Sequence, residues 1–345
     1  MEKIVKLLFN KYWRTLKKLP HVVGFDGKLQ SKTINGLQCP IPSFVFYVDT
    51  KVPSQYLKNP KKHTLPKILS YGLESIYTDV KAIGKPSIPP ILGMSDSTRT
   101  RWRPLEAGIS SMHEKGTACT LNGFFKTKDG KNLQASNYHC YAMEGDAVVG
   151  DALMNPSPYD GGVVEDDKTG EYEFCVPINF DSYQCGWRNF VTRKLPFWTW
   201  FKPVAGENNV DISFGNISVD WKNKIALETK GFEGFSDPVV GEPVFKCGRT
   251  TDKTKGVWES TSVNIQVQYR RGVVFMTDIA MADLKCDGGD SGSPMYTVKD
   301  GKIIYNAALF AGSSGLITKS FGCKISNIIN RTKEEGYDIE LITNS

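Results

Sequence analysis

Apolar and polar residues alternate without a fault from Val263 to Tyr269, with Val263, Ile265, Val267 and Tyr269 set against Asn264, Gln266 and Gln268. That is the period of a strand with one face in a core and the other in water. Shorter runs of the same kind stand near residues 120–125, 210–217, 244–247, 273–276 and 303–310, separated by Gly, Asp, Asn and Pro. Many short strands punctuated by turn residues predict antiparallel barrels or a sandwich. The first 19 residues follow another rhythm. Ile4, Val5, Leu8, Tyr12, Leu16 and Leu19 recur at three- and four-residue spacings with lysines and Arg14 largely between them, which predicts an amphipathic helix ending before Pro20. A basic helix of this kind docks on its own domain, or lies on a membrane surface or a partner, and the pattern alone does not choose between them.

Between these regions, Phe44, Val45, Phe46, Tyr47 and Val48 form a short buried strand bounded by Pro42 and Pro53. Ile68, Leu69 and Leu73 suggest a turn and a half of helix ending near Gly72, and residues 76–80 suggest another strand. Strand, helix, strand within about forty residues reads as a small α/β unit. Residues 84–90, Gly-Lys-Pro-Ser-Ile-Pro-Pro, break both periods and mark a linker. The expected organisation is a helix over 1–19, an α/β accessory domain over 20–90 and a β-rich domain over 91–345. The aromatic segment 194–201 is expected to be a loop packed on a barrel.

Composition narrows the classes. A net charge of +6 over 345 residues is modest, and no nucleic-acid partner is expected. The reading that would invoke one rests on the basic amino terminus with Arg249, Arg270 and Arg271, and no stacking motif accompanies them. No apolar run approaches the roughly 18 residues of a membrane-spanning helix. Lys6 interrupts the first apolar stretch, so a signal peptide is not expected and the chain is read as cytoplasmic. Eight cysteines form no CxxC pair, which argues against a cysteine-built zinc site; no metal or cofactor is expected. The thiols are expected to be mostly reduced, with Cys119 and Cys140 the pair to check first.

The strongest local chemistry lies in Cys286-Asp287-Gly288-Gly289-Asp290-Ser291-Gly292-Ser293-Pro294. A serine hydroxyl is a weak nucleophile and needs an adjacent base and a turn that presents its oxygen. Glycines permit that turn, and the N–H groups of Gly289 and Ser291 can converge on an oxyanion. Of the four histidines, His21 and His63 fall in the leading region, and His113 precedes Glu-Lys-Gly, a surface turn. His139, at the end of a small-residue stretch, remains as the base. Its orienting acid is expected to be Asp211, which stands in an otherwise apolar run, Val210 to Phe214.

The order His139, Asp211, Ser291, with Ser-Asn-Tyr-His-Cys about the base and Gly-Asp-Ser-Gly about the nucleophile, resembles the trypsin-like (chymotrypsin-fold) serine peptidases. The stretches Val-Phe-Lys-Cys-Gly-Arg-Thr-Thr at 244–251 and Leu-Phe-Ala-Gly-Ser-Ser at 309–314 look like a bacterial and archaeal subgroup that includes the plant narrow-leaf protein. Val22-Val23-Gly24 and Thr78-Asp79-Val80 look like that subgroup's leading domain, so the likeness runs from about residue 20 onward. It implies a mainly β chain with two six-stranded antiparallel barrels, His139 and Asp211 on the first and Ser291 on the second, and a small N-terminal α/β domain. It also implies an oxyanion hole at Gly289 and Ser291 and a supporting ion pair or hydrogen bond for Asp290, and it sets Cys119 and Cys140 where secreted relatives carry a disulfide, a pair that a reducing cytosol would instead keep as two thiols. A polypeptide substrate would add as a strand along Phe310, Ala311 and Gly312. Lys285, six residues before the nucleophile, would disfavour cleavage after Arg or Lys by like-charge repulsion. The implied activity is that of a serine endopeptidase, with a catalytically silent peptide-binding scaffold as the alternative. One departure stands out: relatives activate by pairing a freshly cut amino terminus with the acid before the serine, and here a whole domain precedes the barrels. Either the site is preformed or the leading domain is removed.

Overall fold

The alternating run grows into a 17-residue strand, Asp252–Gln268, that organises the larger sheet. Trp258, Val263, Ile265 and Val267 are fully buried, while Asn264 and Gln266 between the last three are only partly covered. Residues 252–257 pair antiparallel with Pro243–Gly248, and residues 257–268 with Val273–Asp283. From Pro243–Gly248 the order runs through Pro294–Lys299, Lys302–Ser314 and Ser320–Lys324 and returns to Val273–Asp283. Six antiparallel strands therefore close on themselves, which leaves the barrel no free edge. The computed structural model describes residues 2–344 except 17, 35, 58, 73, 89–96, 181–207 and 315–317, so the aromatic segment 194–201 lies outside the described residues.

The other sheet has eight short antiparallel strands in the order Ile339–Leu341, Gly123–Thr127, Asn132–Ser136, Ile212–Asn216, Lys168–Val176, Ala152–Met154, Ser110–His113 and Cys119–Thr120. This is more than the six implied by resemblance. The helix Ile325–Glu334, buried through Ile325 and Ile328, carries the chain from the barrel back to this sheet, where Leu341 pairs with Phe125. One apolar core, with Phe124 and Phe214 from this sheet and Tyr305 and Phe321 from the barrel, runs between the two. The architecture is mainly β, of the chymotrypsin-like double-barrel kind, with a small α/β leading segment.

That leading segment shares the barrel's sheet. Val22–Asp26 pairs with the second half of Asp252–Gln268 (Gly24 opposite Ile265), and the sheet continues through Leu37–Val48, Glu74–Ala82 and Ile68–Tyr71. Gly24 is needed there, because a Cβ would stand 2.2 Å from the Asn264 carbonyl oxygen. Leu37–Val48 and Glu74–Ala82 run parallel, joined by a crossover containing the helix Pro60–His63. The buried Asp26 carboxylate ties the segment down by accepting from Tyr47 Oη (2.7 Å), Ser260 Oγ (2.6 Å) and Ser262 Oγ (2.8 Å).

Local readings changed in three places. The amino-terminal helix ends at Leu16, and its apolar face is used inside the protein: Val5, Leu8, Trp13 and Leu16 are buried, with the Trp13 ring 5.1 Å from both Phe25 and Phe275. Ile68–Tyr71 is a strand, not a helical turn; Gly72, at φ +63°, bends the chain back so that Tyr71 pairs with Glu74. A few apolar residues over six positions are too short a sample to separate the two periods. Within the expected linker, Lys85–Ser87 forms a strand.

Candidate active site

The serine sits at the tip of a turn built from its own neighbours. Asp290 N–H donates to the Asp287 carbonyl (3.0 Å), and Ser293 N–H and Oγ donate to the Asp290 carbonyl (2.9 and 2.6 Å). Gly289 and Gly292 adopt φ of +95° and +94°, and a Cβ on Gly292 would lie 2.1 Å from the Thr120 carbonyl oxygen. Only glycine satisfies both the conformation and the space. The N–H groups of Gly289 and Ser291 have no acceptor among the described residues, whereas Asp290 N–H between them is engaged. That leaves two donors for an incoming oxyanion.

Both sheets hold this turn. From the first, Thr120 N–H donates to the Ser291 carbonyl (2.8 Å), Thr120 Oγ1 to the Gly289 carbonyl (2.8 Å) and Asn122 Nδ2 to the Gly292 carbonyl (2.9 Å). From the second, the Leu309 carbonyl accepts Gly292 N–H (2.8 Å). Cys119, the neighbour of Thr120, is joined by a disulfide to Cys140, the neighbour of His139. The strand that grips the serine loop is thus covalently tied to the short helix Tyr138–Tyr141 that carries the imidazole.

His139 Nδ1 lies 2.8 Å from Asp211 Oδ2, and its backbone N–H donates to Asp211 Oδ1 (3.3 Å). Asp211 is fully buried. Its Oδ2 also accepts from Tyr269 Oη (2.8 Å), and Asn137 Nδ2 donates to its carbonyl (2.7 Å). Burial, then the Asp211 charge, push the Tyr269 hydroxyl well above its usual range, so it stays a donor. A carboxylate fixed on one side leaves the imidazole oriented and its far nitrogen exposed to chemistry. His139 Nε2 is buried and has no partner among the described residues. Tyr269→Phe removes one charge-assisted bond from Asp211, a loss of about 1.5–3 kcal/mol. We expect turnover on a peptide substrate to fall roughly ten- to hundredfold, with KM little changed; equal activity in both forms would show that Tyr269 only fills space.

Asp290 points away from solvent into a cage of donors. Thr250 N–H (2.8 Å) and Thr251 N–H (3.1 Å) reach Oδ1, while Thr251 Oγ1 (2.6 Å) and Asp287 N–H (3.0 Å) reach Oδ2. Lys246 Nζ stands 3.3 Å from Oδ2, and both side chains are fully buried. The sequence reading anticipated a partner for Asp290 but not this lysine, which is hidden among strand residues of Pro243–Gly248. Tyr269, Thr120 and Asn122 were missed as well, because each reads as an ordinary strand or turn residue.

Beneath the loop, Arg249 Nε donates to Asp160 Oδ2 (2.9 Å) and its Nη2 pairs with Asp160 Oδ1. Arg249 is fully buried, so it belongs to no nucleic-acid surface; Arg270 and Arg271 both pair with Asp146. Burial raises the Asp160 pKa, but hydrogen bonds from Arg249, Ser110 and Ser157 outweigh it and hold the group below 3.8. A carboxyl depressed on folding contributes stability above its unfolded value and loses it as the pH falls through the folded one. Denaturant stability of the wild type is therefore expected to decline as the pH falls through and below the usual carboxylate range, and Asp160→Asn should flatten that part of the profile; an unchanged slope would rule out this pair as the cause.

His113 is a correction. It is fully buried, with Nε2 3.0 Å from Asp151 Oδ2 and Nδ1 accepting Lys115 N–H (3.1 Å). His113 ends the strand Ser110–His113 and turns inward because Asp151 supplies a partner there, which local sequence does not reveal. His21 and His63 lie in the leading segment, the former 2.8 Å from Asp49. Lys285 is exposed, while Phe310, Ala311 and Gly312 are buried in Lys302–Ser314. Among the described residues Cys39, Cys175, Cys247, Cys286 and Cys323 are free thiols; burial pushes Cys247 to about 12 and Cys286 to about 11, which keeps them unreactive. The one cluster of potential metal ligands among the described residues is Cys119, Cys140 and His139, and its two sulfurs are consumed by the disulfide.

The fold is that of the chymotrypsin-like double β-barrels, with an elbow-borne serine and a buried His–Asp pair between its sheets. Among solved structures the chain is similar to Thermobifida fusca protease A (14% identity, 70% of this chain and 100% of that one, TM-score 0.44) and to Nocardiopsis protease (15%, 69% and 100%, TM-score 0.45). It is also similar to Cellulomonas bogoriensis chymotrypsin (14%, 70% and 100%, TM-score 0.43). No family model and no curated protein sequence matches it. No helix among the described residues is long and apolar enough to cross a membrane.

Proposed function

We propose that the chain is a serine endopeptidase of the trypsin-like kind. Ser291 attacks the scissile carbonyl of a polypeptide, and His139 Nε2 takes the hydroxyl proton and returns it to the leaving amine. Asp211 orients the imidazole and stabilises its cation, while the N–H groups of Gly289 and Ser291 receive the oxyanion. Water then cleaves the acyl-enzyme by the same proton relay. Lys285, Phe310, Ala311 and Gly312 are proposed as the positions that meet the peptide. The observation that carries this reading is the pairing of His139 Nδ1 with a buried Asp211 while Nε2 is left without a partner among the described residues.

Lys246 supports a preformed site. In relatives activated by cutting, a new terminal ammonium reaches the acid before the serine; here an internal ammonium lies 3.3 Å from Asp290 with the leading segment still attached. The leading segment (20–90) is proposed as an accessory domain of a peptidase spanning 91–345. The direct test is covalent labelling of the full chain with a fluorophosphonate, which needs an activated serine. We expect one adduct, mapped to Ser291 and absent from Ser291→Ala. A chain that takes no label in its folded state is a silent scaffold, and the reading fails.

A further inference from the structure

The edge on which a substrate strand was expected to add already carries a strand. Lys85–Ser87 runs antiparallel to Lys302–Ser314, with Ser87 opposite Gly312, Pro86 opposite Ser313 and Lys85 opposite Ser314. Gly312 is paired on its other edge with Ser320, so both of its edges are taken. Pro86, which has no N–H to give, sits between the two residues that have one, a spacing that antiparallel pairing tolerates. The far edge of Lys85–Ser87 is engaged too: Ser87 pairs with Gln268 in parallel, and Ile88 N–H donates to the Gln268 carbonyl (3.3 Å). Gln268 immediately precedes Tyr269, the donor to Asp211.

Direction matters as much as place. Passing from Lys85 to Ser87, the chain moves from Ser314 toward Gly312, and so toward Leu309, which exchanges hydrogen bonds with Gly292 and Ser293 on the nucleophile loop. Pairing with Lys85–Ser87 stops at Gly312 and leaves Phe310 and Ala311 between it and the loop. A peptide approaching Ser291 along this edge would follow the same track with the same polarity.

We propose that Lys85–Ser87 is a built-in occupant of the peptide-binding edge, a strand of the chain's own that a substrate must displace. This rests on the peptidase reading of Ser291. The device is delivered by the leading segment: Glu74–Ala82 is fixed in the sheet against Leu37–Val48, and only Ile83 and Gly84 separate it from Lys85. Ile83 is buried and donates its N–H to the Val48 carbonyl (2.9 Å), and Gly84 turns at φ +75°. So short a tether holds the occupant at an effective concentration on the order of millimolar or above. The substrate class that follows is an extended polypeptide with several residues before the scissile bond, because only such a chain can replace the pairing that it removes.

The experiment compares the full chain with Ser87→Pro, which deletes the Ser87 N–H, and with a second variant carrying glycine at 85, 86 and 87. Two probes are used: a minimal alkyl fluorophosphonate, which needs Ser291 but not the edge, and a tetra-alanyl diphenyl phosphonate, which needs both. We expect the minimal probe to label all three forms within twofold of one another, and the peptidyl probe to react at least tenfold faster with both variants than with the wild type. Equal peptidyl rates in folded wild type and variants would overturn the proposal. Failure of the minimal probe on every form would instead sink the peptidase reading. Hydrogen exchange separates that case: acetyl-tetra-alanine amide, added without any covalent step, should speed exchange at the Lys85 and Ser87 amides of the wild type. Unchanged exchange at those amides counts against displacement whether or not Ser291 reacts.

Discussion

Alanine in place of Ser291 is expected to lower peptide-bond turnover by about 10⁶-fold and to leave the fold intact. The hydroxyl is small and sits at a turn whose geometry is set by Gly289, Gly292 and the Thr120 and Leu309 hydrogen bonds, none of which uses Ser291 Oγ. Loss of His139 should cost a similar factor, because the two groups act as one unit and the remainder falls back on the oxyanion donors and binding alone. Asp211→Asn should cost roughly 10⁴-fold. An amide has a single acceptor oxygen, so it cannot serve the His139 backbone N–H at one atom and both the His139 Nδ1–H and the Tyr269 Oη–H at the other, as the carboxylate does, and the imidazole settles in the wrong tautomer. Steady-state turnover of an extended peptide, with circular dichroism on each variant, reads the effect. A Ser291→Ala enzyme within tenfold of the parent would move the chemistry to another residue.

The second large effect is expected at Lys246. Methionine there preserves the stem but removes a buried cation, leaving the Asp290 carboxylate with four neutral donors and no countercharge in a site closed to water. Breaking a buried pair from one side costs about 3–5 kcal/mol. We expect Lys246→Met to lose stability on that scale and to label slowly with fluorophosphonate although Ser291 is untouched, since the strained loop no longer presents its two N–H groups. Adding Asp290→Asn to the same chain removes the orphaned charge and should restore much of the stability. Denaturant melts and labelling rates on the three forms test this. A Lys246→Met protein as stable and as reactive as the parent would mean that the backbone and hydroxyl donors suffice, and the internal lysine would lose its part in preforming the site.

Residues whose role depends on their own neighbours in sequence were open to reading, and those whose role depends on distant strands were not. The Gly-Asp-Ser-Gly turn closes through bonds among positions 287–293, so the spacing of glycines announced it. His139 stood out by elimination and Asp211 by being an acid in an apolar run. Tyr269, by contrast, lies on the buried face of an alternating strand, where it reads as core. Its hydroxyl meets Asp211 only because the barrel strand ends where the two sheets approach. Lys246 is similar: an alternating strand with one lysine suggests a wet face, and the lysine was turned inward by a carboxylate 44 positions further along. His113 erred in the same sense, a polar residue assigned to solvent and buried by a partner.

The sequence by itself determined a β-rich chain with a helical start, the glycine-framed turn around Ser291, and the candidate pair His139 and Asp211, because period, turn chemistry and scarcity are local properties. Tertiary structure alone decided the closure of six strands into a barrel, the return of the last strand to the other sheet, and the continuation of the leading segment onto Asp252–Gln268. It also decided that residues 85–87, punctuated by proline like a linker, pair along Gly312. Pairing partners separated by hundreds of residues are selected by which edges remain unsatisfied after the local elements form, and every backbone donor left over must find an acceptor somewhere. That global accounting is absent from any short window of sequence.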